Sequence, residues 1–189
     1  MKNLDTTQLN DEELVSKIVE KNDTHLFAVL YDRYASVVYN KCYGFSKNKE
    51  EAQDLTHDVF IQLFIKLRTF KGKSKFSTWL YSFTYNFCVN YVQRNKEKKK
   101  EKVTVVTDQV KDDYNEDEID DTELFELKAG KLVKALEKIA PPEKMILLMK
   151  YQDDMSIKEI SQILDLGDSA VKMRLKRAKE KVINAYNKL

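Results

Sequence analysis

Residues 108–126, DQVKDDYNEDEIDDTELFE, hold ten acidic side chains and one lysine. A stretch with that much like charge and so few apolar groups cannot bury enough surface to offset the entropy lost on ordering it. It therefore confines folded structure to its two flanks. The 189 residues are read as two small domains with a charged connector between them, not as one continuous core. The formal net charge of +2 conceals this layout. Outside the acidic run, residues 1–107 and 131–189 each carry a surplus of five cations. Two basic modules around an acidic connector fit a nucleic-acid binder better than a neutral globule. The run itself reads either as a solvated linker or as a screen for the basic surfaces.

The fold class expected is all-α. Only 4 Gly and 2 Pro are present, too little turn chemistry for a many-stranded sandwich or barrel. Cys42 and Cys88 form no CxxC and have no metal-ligand spacing, which fits a reducing, cytoplasmic setting. No run of about 18 apolar residues exists to insert into a membrane, and MKNLDTTQLNDEEL lacks a signal-peptide core. Asp54, His57 and Asp58 lie at i, i+3, i+4 on a helix, but no further His or Cys completes a metal site. No nucleophile–base pair or Gly-rich phosphate loop is visible, so neither an enzyme, a cofactor nor a small-molecule substrate is expected.

Three segments follow: a helical domain over 1–94, a basic-then-acidic flexible linker over 95–123, and a second helical domain over 124–189. Asn10 and Asn48 each precede a Glu at the third helical position, the capping-box spacing. Asp23 caps a helix carrying Leu26, Phe27, Leu30, Tyr34 and Val37. A third helix runs from about Lys49 to Phe70, and Gly72 separates it from an aromatic helix over about Ser77–Arg94. In the second domain Leu132, Leu136 and Ile139 form a short stripe. Pro141-Pro142 interrupts it, with Pro142 able to open the next helix.

On the third helix, steps of about 100° place Ala52, Leu55, Val59, Leu63 and Leu67 within one arc, the core face. Ile61 and Ile65 fall roughly opposite, near Asp54, His57 and Asp58, with Phe60 and Phe64 on the border. A helix apolar on two sides is either wrapped by its own domain or offers a docking face to a basic partner.

From Lys66 to Lys75 there are five cations and no acid around Gly72. Phe76, Trp79, Tyr81, Phe83, Tyr85, Phe87 and Tyr91 then crowd one helix. Cations neutralise phosphate, and aromatic faces stack on unpaired bases. Ser82, Asn86 and Asn90, four residues apart, make one polar stripe suited to base edges. Leu80, Phe83 and Phe87 are expected in the core.

The segment SIKEISQILDLGDSAVKMRLKRAKEKV has the pattern of a helix-turn-helix. Ser156 and Glu159 form a capping box, and Ile157, Ile160 and Leu164 are the apolar side of its first helix. Ser161 is small where the helices cross. Asp165-Leu166-Gly167 make the turn, with Asp165 where many such turns have Gly, and Asp168 is the N-cap of the second helix. On that helix Val171, Leu175, Ala178 and Val182 share one face, while Ser169, Lys172, Met173, Lys176 and Arg177 lie on the other. Residues 168–181 hold six cations against two acids. One apolar and one cationic stripe is the layout of a recognition helix.

Taken in order, LYDRY (30–34), EAQDLTHDVF (51–60), FKGKSKFSTWLYSFTYN (70–86) and EISQILDLGDSAVKMRLKRAKEKV (159–182) resemble the extracytoplasmic-function (ECF) group of bacterial RNA polymerase sigma factors, within the sigma-70 family. The resemblance spans both domains, and it implies a region-2-like helical bundle and a region-4-like helix-turn-helix. It implies docking of core RNA polymerase, on the β′ coiled coil, through Asp54, His57, Asp58, Ile61 and Phe64, with His57 where the family usually has Gln. Lys71, Lys73, Ser74, Lys75, Phe76, Trp79, Ser82, Asn86, Asn90 and Arg94 would melt and read the minus-ten element. Ser169, Lys172, Met173, Arg174, Lys176 and Arg177 would read the minus-thirty-five element, with the same domain leaning on the β flap. Promoter DNA and an anti-sigma factor are the further partners implied. The competing reading is a helix-turn-helix regulator that never enters polymerase, its first domain a sensor or dimerisation module.

Overall fold

The computed structural model describes residues 9–100 and 128–189, which are helical with connecting turns and contain no strand. The chain divides into two compact units, Met1–Cys88 and Val89–Leu189. The first unit holds α1 (Asp11–Lys21), α2 (Thr24–Tyr43), α3 (Lys49–Lys66) with a 3-10 turn at Leu67–Thr69, and the start of α4 (Phe76–Lys100), whose residues from Val89 on belong to the second unit. The second holds α5 (Ala129–Lys138), α6 (Pro141–Leu147) running into a π turn at Leu148–Gln152, α7 (Ile157–Leu164) and α8 (Asp168–Asn187). The expected linker and the acidic run lie, from residue 101 to 127, outside the described residues. α4 extends to Lys100, past the boundary expected at Arg94. The Lys and Glu residues there are good helix formers, and no Gly or Pro stops the helix.

The helix starts follow local chemistry. Asn10 accepts the Glu13 N–H at 2.8 Å while the Glu13 carboxylate accepts the Asn10 N–H at 3.1 Å. Asp23 accepts the N–H groups of His25 and Leu26. At α3 the box is displaced. Asn48 accepts the Glu51 N–H, but the Glu51 carboxylate takes the N–H of Lys47, one residue further back. α2 packs on α3 and on α1. The core of this unit joins Leu14 and Ile18, Leu30 and Val38, Ala52, Leu55, Val59, Leu63 and Leu67, and Phe76, Leu80 and Tyr85. Cys42 and Cys88 meet in it, their sulfurs 3.8 Å apart. The hydrogen bond to Cys42, together with burial, pushes the Cys88 thiol well above its usual range.

In the second unit α8 is the central helix, contacted by α5, α6 and α7. Val171, Leu175, Ala178, Val182 and Ile183 are its buried row. α6 opens on Pro141, one residue before the expected Pro142, and Glu143 accepts the Ala140 N–H at 2.9 Å. A Lys181–Glu143 ion pair ties α8 to α6. Within α7 the buried pair is Ile160 and Ile163, whereas Ile157 and Leu164 are half-buried.

The turn into α8 brings one confirmation and one correction. Asp165 adopts the left-handed conformation, φ 54°, that the missing glycine would have taken. Asp168 is not the cap. Gly167 occupies that position, and Asp168 begins α8 instead, accepting the Ser161 hydroxyl at 2.6 Å. The small residue at the crossing thus bonds the two helices together as well as letting them approach.

Candidate functional site

α3 buries one side and leaves the other in water. Ala52, Leu55, Val59 and Leu63 are at most 1% exposed, while Ile61 is 46% and Ile65 54% exposed. Phe60, expected on the border, is buried. It fills the seam with α2 through Phe27, 6.4 Å away, and Tyr31, 4.4 Å away, by ring centroid. Phe64 lies half-buried, edge-on to Phe27 at 4.9 Å. Between the first turns of α2 and the outer side of α3 runs an apolar groove of about 470 Å³, lined by Phe27, Tyr31, His57, Ile61, Phe64 and Ile65, with Thr24 and Phe60. Asp54, His57 and Asp58 are exposed, His57 at the groove, Asp54 one turn before it and Asp58 next to it in the chain. Of the five residues named for docking from the sequence, the groove brings together His57, Ile61 and Phe64. The α2 side was missed. Phe27, one of the apolar residues read on that helix, is half-buried in the groove wall, with the exposed Tyr31 one turn on beside it.

A second surface begins after α3. Gly72, at φ 66°, turns the chain where a side chain would be strained. Lys71, Lys73, Ser74 and Lys75 are exposed around it. Phe76 departs from the surface role expected of it. It is 0% exposed, packed against Tyr34, Phe70 and Trp79 at 5.6, 5.4 and 5.9 Å. Phe76, Leu80, Thr84 and Cys88 are the inner row of α4. About 60° round the helix lies the row Trp79, Phe83, Phe87. These rings are half-buried and stacked in sequence at 5.6 and 6.5 Å, so Phe83 and Phe87 form a ladder, not the core. Tyr85 takes the core place, 1% exposed. Above it Lys41, itself only 4% exposed, sets its ammonium 4.4 Å from the Tyr81 ring and 5.0 Å from the Tyr85 ring. That cation–π contact explains how a lysine is accommodated inside. Alongside the ladder, Ser82 is half-buried and Asn86 exposed, donating to it at 3.4 Å; Asn90 and Arg94, further along α4 in the second unit, are exposed.

The third surface is the outer side of α8. Ser169, Lys172, Met173, Arg174 and Arg177 are exposed and Lys176 half-buried, opposite the buried Val171–Val182 row. The helix before it is fixed at its start by Ser156 and Glu159. The Ser156 N–H donates to the Glu159 carboxylate at 2.8 Å, which holds that acid below the usual range. None of the three surfaces gathers three or more potential metal ligands among the described residues. No helix among them is long and apolar enough to cross a membrane.

Residues 30–98 match the family model for sigma-70 region 2, and residues 129–182 that for sigma-70 region 4. The chain is 30% identical over 173 residues to the ECF RNA polymerase sigma factor SigW of Bacillus subtilis, across 87% of this chain and 90% of that one. It is 26% identical over 187 residues to the ECF RNA polymerase sigma-E factor of Escherichia coli, across 96% and 97%. Among solved structures it is similar to CnrH in complex with the cytosolic domain of CnrY (TM-score 0.59, 17% identity, 94% and 97% covered). It is also similar to the sigma factor RpoE in complex with the anti-sigma factor NepR from Bartonella quintana (TM-score 0.56, 15% identity, 85% and 96% covered). At these identities the structural likeness concerns the fold.

Proposed function

The chain belongs to the ECF group of the sigma-70 family of RNA polymerase sigma factors, and from that premise we propose how its three surfaces divide the work of starting transcription. A sigma factor is a non-catalytic, dissociable subunit, so its contribution is binding energy rather than covalent chemistry. The groove between α2 and α3, with Ile61, Phe64 and His57 in it and Asp54 and Asp58 beside it, takes the β′ coiled coil of core polymerase. The loop Lys71–Lys75 and the polar and aromatic rows of α4 take the minus-ten element, where cations hold phosphates and ring faces receive unstacked bases. Phe76 acts there from the core, as the seat of Trp79. α8 reads the minus-thirty-five element through Ser169, Lys172, Met173, Arg174, Lys176 and Arg177, and the same domain leans on the β flap.

Each DNA surface is small and weakened by salt. Docking on polymerase places both on one scaffold, which raises the effective concentration of the second contact once the first has formed. Capture of an extruded base then shifts the duplex toward the open state. An anti-sigma factor is the natural competitor for the groove; that a sigma factor of similar fold, RpoE, is solved in complex with the anti-sigma factor NepR supports the choice of partner. The setting is cytoplasmic, where polymerase is.

The observation that carries this reading is the exposed apolar side of α3, since a domain with no partner has no use for Ile61 and Ile65 in water. A regulator acting outside polymerase would need neither that face nor a region-2 match over residues 30–98. The test is size-exclusion chromatography of the purified chain with sigma-free core polymerase. Co-elution at one-to-one stoichiometry is expected, and its loss in Asp58→Arg/Ile61→Asp. Co-elution that survives in the folded double variant would overturn the docking assignment.

A further inference from the structure

Asp11, Glu12 and Glu13 open α1, and each reaches a different partner. Glu13 closes its own helix cap on Asn10. Asp11 accepts Arg33 Nη1 at 2.8 Å and the Tyr34 hydroxyl at 2.5 Å, both on α2. Glu12 reaches across 64 residues of sequence, its Oε1 accepting the N–H of Phe76 at 2.9 Å. Phe76 is the first residue of α4, and α4 has no acid in its own first turn. Lys75 precedes it, its carbonyl accepting the Trp79 N–H at 3.2 Å. A lysine side chain has no acceptor with which to cap a helix. The loop keeps cations at 71, 73 and 75, and so cannot supply the cap that Ser, Thr, Asp or Asn would give at that position. A carboxylate from α1 supplies it instead, at the helix end whose dipole favours negative charge.

The same turn of α1 also grips the Phe76 ring. Asp11 fixes the Tyr34 hydroxyl, and the Tyr34 ring stands edge-on to Phe76 at 5.6 Å. Phe76 in turn carries Trp79 and Phe70. Backbone and side chain of one residue are thus held from α1, immediately after the cationic loop and immediately before the aromatic ladder.

We infer that Glu12 is a positioning residue for promoter opening: its carboxylate fixes the first turn of α4, and with it the Lys71–Lys75 loop and Trp79, in the geometry that receives single-stranded DNA. The inference rests on the minus-ten role proposed above. Glu12 is exposed, so its replacement leaves no cavity, and it lies on α1, outside the groove. Its loss therefore acts on DNA opening and not on polymerase docking.

The test uses the full chain with Glu12→Ala and Glu12→Gln, the latter keeping an oxygen acceptor. Trp79 is the single tryptophan, so its fluorescence reports on this turn directly. Glu12→Ala is expected to change Trp79 emission and iodide quenching and to leave core-polymerase affinity unchanged. It should lower promoter opening, read as permanganate reactivity of unpaired thymines, about fivefold for loss of one carboxylate–amide bond at a helix end. Glu12→Gln should recover most of both signals. Glu12→Ala with parental Trp79 signal and parental opening would overturn the inference. So would a loss of opening matched by an equal loss of docking and not rescued by Gln, which would mark a general structural role. If the parent chain itself opens no promoter with bound polymerase, the minus-ten reading fails instead, and an unchanged Trp79 signal in Glu12→Ala still overturns the positional claim.

Discussion

Truncating Ile61 and Ile65 together separates docking from folding. Complete burial of an isoleucine side chain is worth about 1.5–3 kcal/mol. Ile61 and Ile65 are 46% and 54% exposed. A partner that covers them withdraws about half of each from water, roughly 1 kcal/mol apiece and about 2 kcal/mol for the pair. Ile61→Ala/Ile65→Ala is therefore expected to weaken polymerase binding about thirtyfold. The half of each side chain already covered within the fold is lost as well, so the double variant should lose up to about 2 kcal/mol of thermal stability and still fold. Leu63→Ala is the control from the other side of the same helix. Leu63 is 0% exposed, and its truncation should cost about 2–5 kcal/mol of stability. The assay is a fluorescence titration of labelled chain with core polymerase at two ionic strengths, beside thermal unfolding of each variant. The loss should be the same at both salts, because the contact removed is apolar, whereas a contact through Asp58 weakens with salt. Parental affinity in a folded Ile61→Ala/Ile65→Ala variant would refute the reasoning, since no partner then covers that face.

Lys172, exposed on the outer side of α8, should contribute to DNA binding as a phosphate contact. Lys172→Ala is expected to lower the slope of log affinity against log salt by about 1, measured on a duplex carrying the minus-thirty-five element. Tyr34 gives a pH prediction. Burial, then the hydrogen bond to Asp11, raise its hydroxyl well above the ordinary 10.0, so the fold favours the protonated form. That stability is complete below pH 10 and is lost as pH rises beyond it, where the unfolded chain ionises first. Tyr34→Phe should cost about 1 kcal/mol at neutral pH and flatten the alkaline limb of a denaturation series, and an equally steep limb in the variant would contradict it.

Features decided within one helical turn were legible in the sequence. Asn10, Asp23 and Ser156 cap as their spacing indicates, because the partners are two or three residues away. The inner rows of α3 and α8 follow from steps of 100° and the residues on them. Asp165 tolerates the left-handed turn for a reason internal to its side chain. Where the reading erred, the deciding partner lay on another helix. Phe83 and Phe87 have the apolar character of core residues, and so does Tyr85. Which of them goes inside depends on where α2 sets Lys41 and the turn after it sets Phe45, and Tyr85 sits against both. Asp168 suits an N-cap, but Ser161 approaches within hydrogen-bonding distance and claims it. The Glu12–Phe76 bond has no local signature at all, as 64 residues separate its ends. The groove was half legible. Periodicity on α3 exposed Ile61 and Ile65, but the wall made by Phe27 and Tyr31 requires knowing how α2 lies on α3.

Leaving that groove uncovered has a physical consequence for how such a chain is controlled. An apolar groove of about 470 Å³ invites any amphipathic helix that meets it. Asp54 and Asp58 on the same helix narrow the choice by repelling acidic flanks and favouring basic ones, which acts on partner choice more than on raw affinity. A partner that covers Ile61 and Ile65 excludes every other partner that needs the same area. On the docking assignment proposed here, polymerase and an anti-sigma protein therefore compete for one site, and occupancy follows the product of affinity and concentration for each. No conformational signal through the protein is needed for that switch. The point of control then lies on α2 and α3, on different residues from the loop before α4 and the α8 stripe proposed to touch DNA. A substitution such as Ile61→Ala should accordingly shift both partners together while leaving the affinity of α8 for isolated duplex unchanged. Unequal loss between the two partners would locate the additional contacts that one of them makes outside the groove.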